Sequence, residues 1–234
     1  LLVIGGSNVF SGAPALAAMA ALRTGVDLVS VAAPEKTATA ISSMSPALIT
    51  IKLKGKHLNS SNLPALKEHL ESATAVVLGP GLGLHSETKE ATKEIIEQLE
   101  EKGTPLLLDA DGLKAFAEFK RKVELPVVLT PHAREYEILT GNKLPNDLRK
   151  RAEKIQKRAR KLGATILLKG HVDVISNGMD VKFNFTGNPG MTVGGTGDVL
   201  SGVVGGFVGD GSGFVQGCGG RRVYQRCSRR FCGC

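Results

Sequence analysis

Tryptophan is absent from the 234 residues, and aromatic residues make up only 4% of the chain. A β-sandwich core or an aromatic platform for nucleic-acid bases asks for more, whereas parallel strands buried between helices do not. Long apolar runs are also missing. None approaches the roughly 18–20 residues needed to cross a bilayer, and the opening "LLVIGG" meets glycine too soon for a secretory signal. Cysteine does not occur before Cys218, and all four (Cys218, Cys227, Cys232 and Cys234) crowd into the last segment. The rest of the chain therefore reads as a cytoplasmic protein without disulfides. The formal charge of +8 is local too. Arg221, Arg222, Arg226, Arg229 and Arg230 fall in a terminal stretch without acids, and the remaining 25 basic and 22 acidic residues nearly balance. No nucleic-acid or membrane partner is expected of so neutral a body.

What the chain has is glycine, alanine, valine and leucine in alternating short runs and longer periodic segments. Strands are expected at Leu1–Ile4, Leu28–Ala32, Leu48–Leu53, Ala75–Leu78, Leu106–Leu108, Val127–Leu129, Thr165–Leu168, Val172–Ile175 and Val181–Phe185. "APALAAMAALRTG" reads as a helix stopped by Gly25. "SETKEATKEIIEQLEEKG" reads as one that starts on Ser86 as N-cap and ends at Gly103. "NDLRKRAEKIQKRARKLG" is a third, with a basic solvated face and no interleaved aromatics. The alternation predicts one α/β domain with a mostly parallel sheet and helices on both faces.

Each unusual cluster follows a strand: "GGSNVFSG" after "LLVI", "GPGLG" after "AVVL", "DADGL" after "LLL", "TPHAREYE" after "VVL" and "KGH" after "ILL". The carboxyl ends of parallel strands are where open α/β sheets bind ligands, so the clusters imply one composite site. A sixth, "NPGMTVGGTGDVLSG", runs into the helical spacing of Val199, Leu200, Val203, Val204 and Phe207. Gly194, Gly195 and Gly197 then lie at a helix N-terminus, where unpaired N–H groups and the dipole favour an anion and no Cβ blocks a phosphate. Asp198 in the first helical turn has two readings, a complement to the dipole or a general base, and its place beside an anion cradle favours the base. His132 reads either as a helix cap or as a ligand-facing group. Lys169 is either a rim charge or a phosphate contact. Asp109 and Asp111 are open between magnesium binding and, for Asp111, helix capping. Gly81 and Gly83 serve a tight turn or a ligand approach. His57, His69 and His85 receive no role.

The ordered set "SGAPALAA…ALRTG", "VVLGPGLG", "LLLDADGL", "LTPHAREYEILTG", "LLKG" and "NPGMTVGGTGDVLSG" resembles the ADP- or ATP-dependent NAD(P)H-hydrate dehydratases, over roughly Leu1 to Phe207. The resemblance implies a three-layer α/β/α ribokinase-like fold with a mostly parallel central sheet. It also implies repair of the hydrated cofactors NADHX and NADPHX: the nucleotide phosphorylates the added hydroxyl, and phosphate is then eliminated. By the same resemblance Asp198 is the catalytic base. Lys169, Gly170, His171, Val172 and Asp173, with Gly194, Gly195, Thr196 and Gly197, border ADP or ATP. Ala13, Gly81, Gly83, His132 and Glu135, with Asp198, face the hydrate. Mg2+, a homo-oligomer, and fusion to or pairing with an NAD(P)HX epimerase are implied as well. Where the family pattern has proline, this chain has Ala133.

Two further expectations concern the ends. Residues 1–209 read as a domain truncated at both ends, and residues 210–234 as an aberrant tail from a single-base frameshift near Asp210. Their arginines and cysteines have neither helical nor alternating period and lack the paired spacing of zinc ligands. Rival readings are a ribokinase-like kinase of a small vitamin precursor, which would stop at the phosphorylated product, and a nucleic-acid binder acting through the basic tail.

Overall fold

The computed structural model describes residues 1–119 and 122–209. The expectations about a frameshifted tail and its cysteines lie outside the described residues. Nine strands form one sheet: β1 (Leu2–Ile4), β2 (Ser30–Pro34), β3 (Ile49–Leu53), β4 (Val76–Leu78), β5 (Leu106–Leu108), β6 (Val127–Leu129), β7 (Thr165–Leu168), β8 (Asp173–Ser176) and β9 (Val181–Asn184). Their order is β3-β2-β1-β4-β5-β6-β7-β8-β9. The first seven run parallel, in registers such as Val3 opposite Val31 and Val77, and β8 and β9 are an antiparallel hairpin closing one edge.

The helices are α1 (Gly12–Leu22), α2 (Glu35–Met44), α3 (Leu63–Ser72), α4 (Ser86–Lys102), α5 (Ala110–Phe116), α6 (Ala133–Thr140), α7 (Leu148–Leu162) and α8 (Thr196–Gly209). The central strands are apolar on both faces, and the period-2 geometry divides their side chains between two cores. Ile4, Leu78, Leu106, Leu108, Leu129 and Ile166 face the layer of α3 to α7. Val3, Val77, Leu107, Val128 and Leu167 face α1, α2 and α8. The three-layer expectation holds.

One local reading changes, and two helices are added to those expected. The N-cap of α4 is His85, not Ser86; its Nδ1 accepts the Glu87 N–H at 3.3 Å. Helices α2 and α3 carry little sequence signal: "EKTATAISSM" is rich in residues that compete with the helical backbone, and "LPALKEHLES" is short. The stop at Gly103 does hold, with φ 70°.

Helix α8 lies against α1 with almost no side chain between them. A Cβ on Gly202 would collide with the Ala17 carbonyl, and one on Gly206 with the Thr24 hydroxyl. The alanines Ala17, Ala18 and Ala21 supply the flat opposing surface. This close crossing sets the height of the α8 N-terminus above the sheet edge.

Candidate active site

The strand ends bring their clusters to one edge, as parallel topology requires. After β5 the chain turns through Ala110 at φ 49°, a left-handed conformation that costs a non-glycine residue about 1 kcal/mol or more. The turn starts α5, yet Asp109, its N-cap by position, makes no cap bond. Its carboxylate is buried, at 2% exposure, and takes two other donors. Lys169 Nζ, from the end of β7, donates to Oδ1 at 2.8 Å. The Ser201 hydroxyl, from the second turn of α8, donates a short hydrogen bond to Oδ2 and lies 2.9 Å from the Gly197 carbonyl oxygen. Asp109 therefore joins β5, β7 and α8 at one point. Asp111 accepts from the Gly83 N–H at 2.9 Å and from Lys114 Nζ at 2.7 Å. It fixes the "GPGLG" loop and does not cap the helix.

At the α8 N-terminus Gly195 has φ 92°, a value open to glycine at little cost. The Thr196 hydroxyl donates to the Val193 carbonyl and closes the turn. Gly197 and Asp198 follow in the first helical turn, where backbone N–H groups have no carbonyl to bind within the helix. A Cβ at Gly197 would stand 3.5 Å from Lys169 Nζ, and one at Gly194 would meet nothing within 4 Å. An ammonium and a row of amides thus face one unobstructed corner, which suits a phosphoryl group. Asp198 stands in it half-buried. Burial pushes its carboxyl above the ordinary value, the Asp109 carboxylate pushes it further, and Lys169 partly opposes them. A carboxylate held in that direction is a stronger base than one in water.

The other expected residues fall into groups. Ala13 and Gly81 come together: at Gly81, φ 69°, a Cβ would lie 3.3 Å from the Ala13 Cβ and 2.9 Å from that of Phe10. Gly83 has open space around it. His132 caps α6, its Nδ1 accepting from the Arg134 and Glu135 N–H groups at 3.1 and 3.3 Å, so the proton of the neutral ring sits on Nε2. Glu135 is buried and completes the capping box by accepting from the His132 N–H at 2.9 Å. The plain reading of His132 is therefore present, and its backbone pairs with Lys169 as an isolated parallel bridge. Gly170, His171 and Val172 form the β7–β8 turn. Asp173 shapes that turn, accepting from the Gly170 N–H and from Asn184 Nδ2, both at 3.0 Å.

Sequence reasoning left the site without Ser201 and did not give Asp109 its place. A signal existed for the serine. It lies three and four residues after Asp198 and Gly197, hence on the same helix face, as a lone hydroxyl in an apolar run.

A mostly parallel sheet between two helical layers, with these loops gathered on one edge, defines a ribokinase-like α/β protein. A ribokinase-like superfamily protein from Enterococcus faecalis superposes with a TM-score of 0.77 and 29% identity, covering 89% of this chain and 70% of that one. The chain belongs to the NAD(P)H-hydrate dehydratase family, whose sequence profile matches residues 1–230. It is 47% identical over 208 residues to the bifunctional NAD(P)H-hydrate repair enzyme Nnr of Pyrobaculum aerophilum, covering 89% of this chain and 41% of that protein. It is 39% identical over 214 residues to the ADP-dependent (S)-NAD(P)H-hydrate dehydratase of Nitrosopumilus maritimus, covering 89% and 72%. The chain spans about two fifths of the length of the bifunctional relatives it matches.

Proposed function

We propose that this chain dehydrates NADHX and NADPHX to the reduced dinucleotides, using ADP or ATP as phosphoryl donor. The observation that carries the reading is the corner formed by Asp198, the α8 N-terminus and the Lys169–Asp109–Ser201 group. Asp198 takes the proton from the added hydroxyl, whose oxygen attacks the terminal phosphorus as its bond to the nucleotide oxygen breaks. The amides of Gly197 and its neighbours, with Lys169, hold the charge that builds on the transferred group. Loss of phosphate by C–O cleavage, with departure of a neighbouring proton, restores the ring double bond. Ala13, Gly81, Gly83 and the exposed edge of His132 border the hydrate, and the Gly170–Asp173 turn borders the nucleotide.

Both oxygens of Asp109 and of Asp111 already have ammonium, amide or hydroxyl donors, so neither serves as a dedicated Mg2+ holder. Three carboxylates (Asp109, Glu135 and Asp198) surround the Lys169 ammonium among the described residues of this corner. A polyphosphate entering such a field fits best with Mg2+ already bound to it, neutralising charge on the phosphate oxygens. The word bifunctional in the relatives' names supports a second repair activity joined to this one, which we read as an NAD(P)HX epimerase fused to or paired with the chain. We place the enzyme in the cytoplasm as a homo-oligomer.

The test is NADHX or NADPHX with Mg2+ and ADP, or with Mg2+ and ATP, following the return of reduced-nicotinamide absorbance together with release of phosphate. Recovery that requires the nucleotide supports dehydration. A stable phosphorylated product without recovery would instead favour a small-molecule kinase.

A further inference from the structure

The segment after β3 meets the N-terminus of α4 just beyond the "GPGLG" loop. Two hydrogen bonds fix this junction without any histidine. The Thr88 hydroxyl donates to the Leu58 carbonyl at 2.8 Å, and the Ser60 hydroxyl donates to Glu94 at 2.5 Å. Three metal-ligating side chains stand at the same junction. The rings of His57 and His85 stack, with centroids 3.9 Å apart and planes inclined by 25°. His57 Nε2 is 2.7 Å from a Glu87 carboxylate oxygen, and His85 Nδ1 is 3.9 Å from that same oxygen. One ligand atom from each residue lies within 4.8 Å of those of the other two. An ion pair accounts for His57 and the helix cap accounts for His85. Neither explains why two imidazoles from separate segments converge on one carboxylate.

We propose that His57, His85 and Glu87 form a binding site for a divalent transition-metal ion of the zinc class, separate from the reactive corner. The donor set selects the metal. Two imidazoles and one carboxylate suit Zn2+, Ni2+ or Cu2+, whereas Mg2+ and Ca2+ take oxygen ligands. With bonds of about 2.0–2.1 Å, tetrahedral zinc spaces its ligand atoms by roughly 3.3 Å. The 2.7 Å pair opens slightly and the 3.9 Å pair closes slightly to reach that spacing. Side chains as exposed as His85 and Glu87, at 52% and 60%, make such adjustments freely, and water takes the fourth position. Either His85 gives up its 3.3 Å cap bond to Glu87 N–H, or it rotates to offer Nε2. The site does not depend on the dehydratase reading. A bound ion would tie the 54–59 loop to α4, and through the Lys56 carbonyl, which accepts the Asn8 N–H at 2.9 Å, would steady the turn carrying Val9 and Phe10 beside Gly81.

The test uses the full chain without an affinity tag, its four cysteines replaced by serine so that thiols cannot bind metal. Zn2+ is titrated calorimetrically into this parent and into its His57→Ala, His85→Ala and Glu87→Gln variants, with unchanged circular dichroism as the check on folding. One Zn2+ per parent chain is expected, weakened about tenfold or more, or roughly 1.4 kcal/mol, by each histidine change. In nuclear magnetic resonance spectra the ring signals of His57 and His85 should respond to Zn2+, while those of His69 and His171 do not. Where an alanine variant is misfolded, His57→Gln replaces it. A parent that binds no Zn2+, or a His57→Ala/His85→Ala double variant that binds as the parent does, overturns the site.

Discussion

Burial and Asp109 raise the Asp198 pKa in the fold, so the ionised carboxylate costs the folded state free energy that the unfolded chain does not bear. The sign follows from linkage. A carboxyl raised on folding favours the fold while protonated in both states, below its ordinary 3.8, and that contribution is lost as pH rises through the folded value. Asp198→Asn should therefore melt higher than the parent at neutral pH, with the difference vanishing towards acid. Its turnover should fall by about 10²-fold or more, the usual scale for removing a general base, while nucleotide affinity stays near normal. Thermal melts across pH and steady-state rates check the two halves. Near-normal turnover would remove Asp198 from the base role. Ser201→Ala makes a different prediction. It leaves one oxygen of a buried carboxylate without its donor, so unfolding in denaturant should show a loss of about 1–3 kcal/mol, and turnover should fall because Lys169 shares that carboxylate.

Among elements, the glycines of the α8 region divide into two kinds. Gly202 is needed for packing: a side chain there meets main-chain atoms of α1, so Gly202→Val should destabilise by about 3 kcal/mol or more. Gly194 has open space where its Cβ would stand. Gly194→Ala should leave the melting temperature unchanged and weaken nucleotide binding, which paired melts and titrations would separate. The sequence announces this helix through Val199, Leu200, Val203, Val204 and Phe207, and it announces the strands because both faces of the central ones are apolar. It is quieter about α2, whose serines and threonines carry a weak helical pattern. It is silent on the partners of Asp109, since Lys169 is 60 and Ser201 92 residues away. Only the strand order makes them neighbours. For the same reason the two readings of His132 stayed open in the sequence. Its cap bonds are local and visible in the structure, whereas the ligand-facing role proposed for its exposed edge depends on residues far away in the sequence.

For the whole molecule, stability should be graded across the sheet. The central strands β1, β4, β5 and β6 are covered on both faces, while Phe183 on the β8–β9 edge is 39% exposed. Hydrogen exchange should be slowest for amides such as Val3, Val77 and Leu107 and fastest in β9, where opening needs no global unfolding. Equal protection throughout would contradict a sheet whose edge strands are less covered than its centre. The junction at Asp109 also bears on how the protein is made. Its carboxylate is met by Lys169 and then by Ser201, on the last helix described, so the pieces of the corner leave the ribosome far apart in time. A nascent chain that has finished the sheet but not yet docked α8 owns a lysine and an acid without the amides that complete them. The corner is therefore assembled only after the sheet, when α8 docks and Ser201 reaches the Asp109 carboxylate.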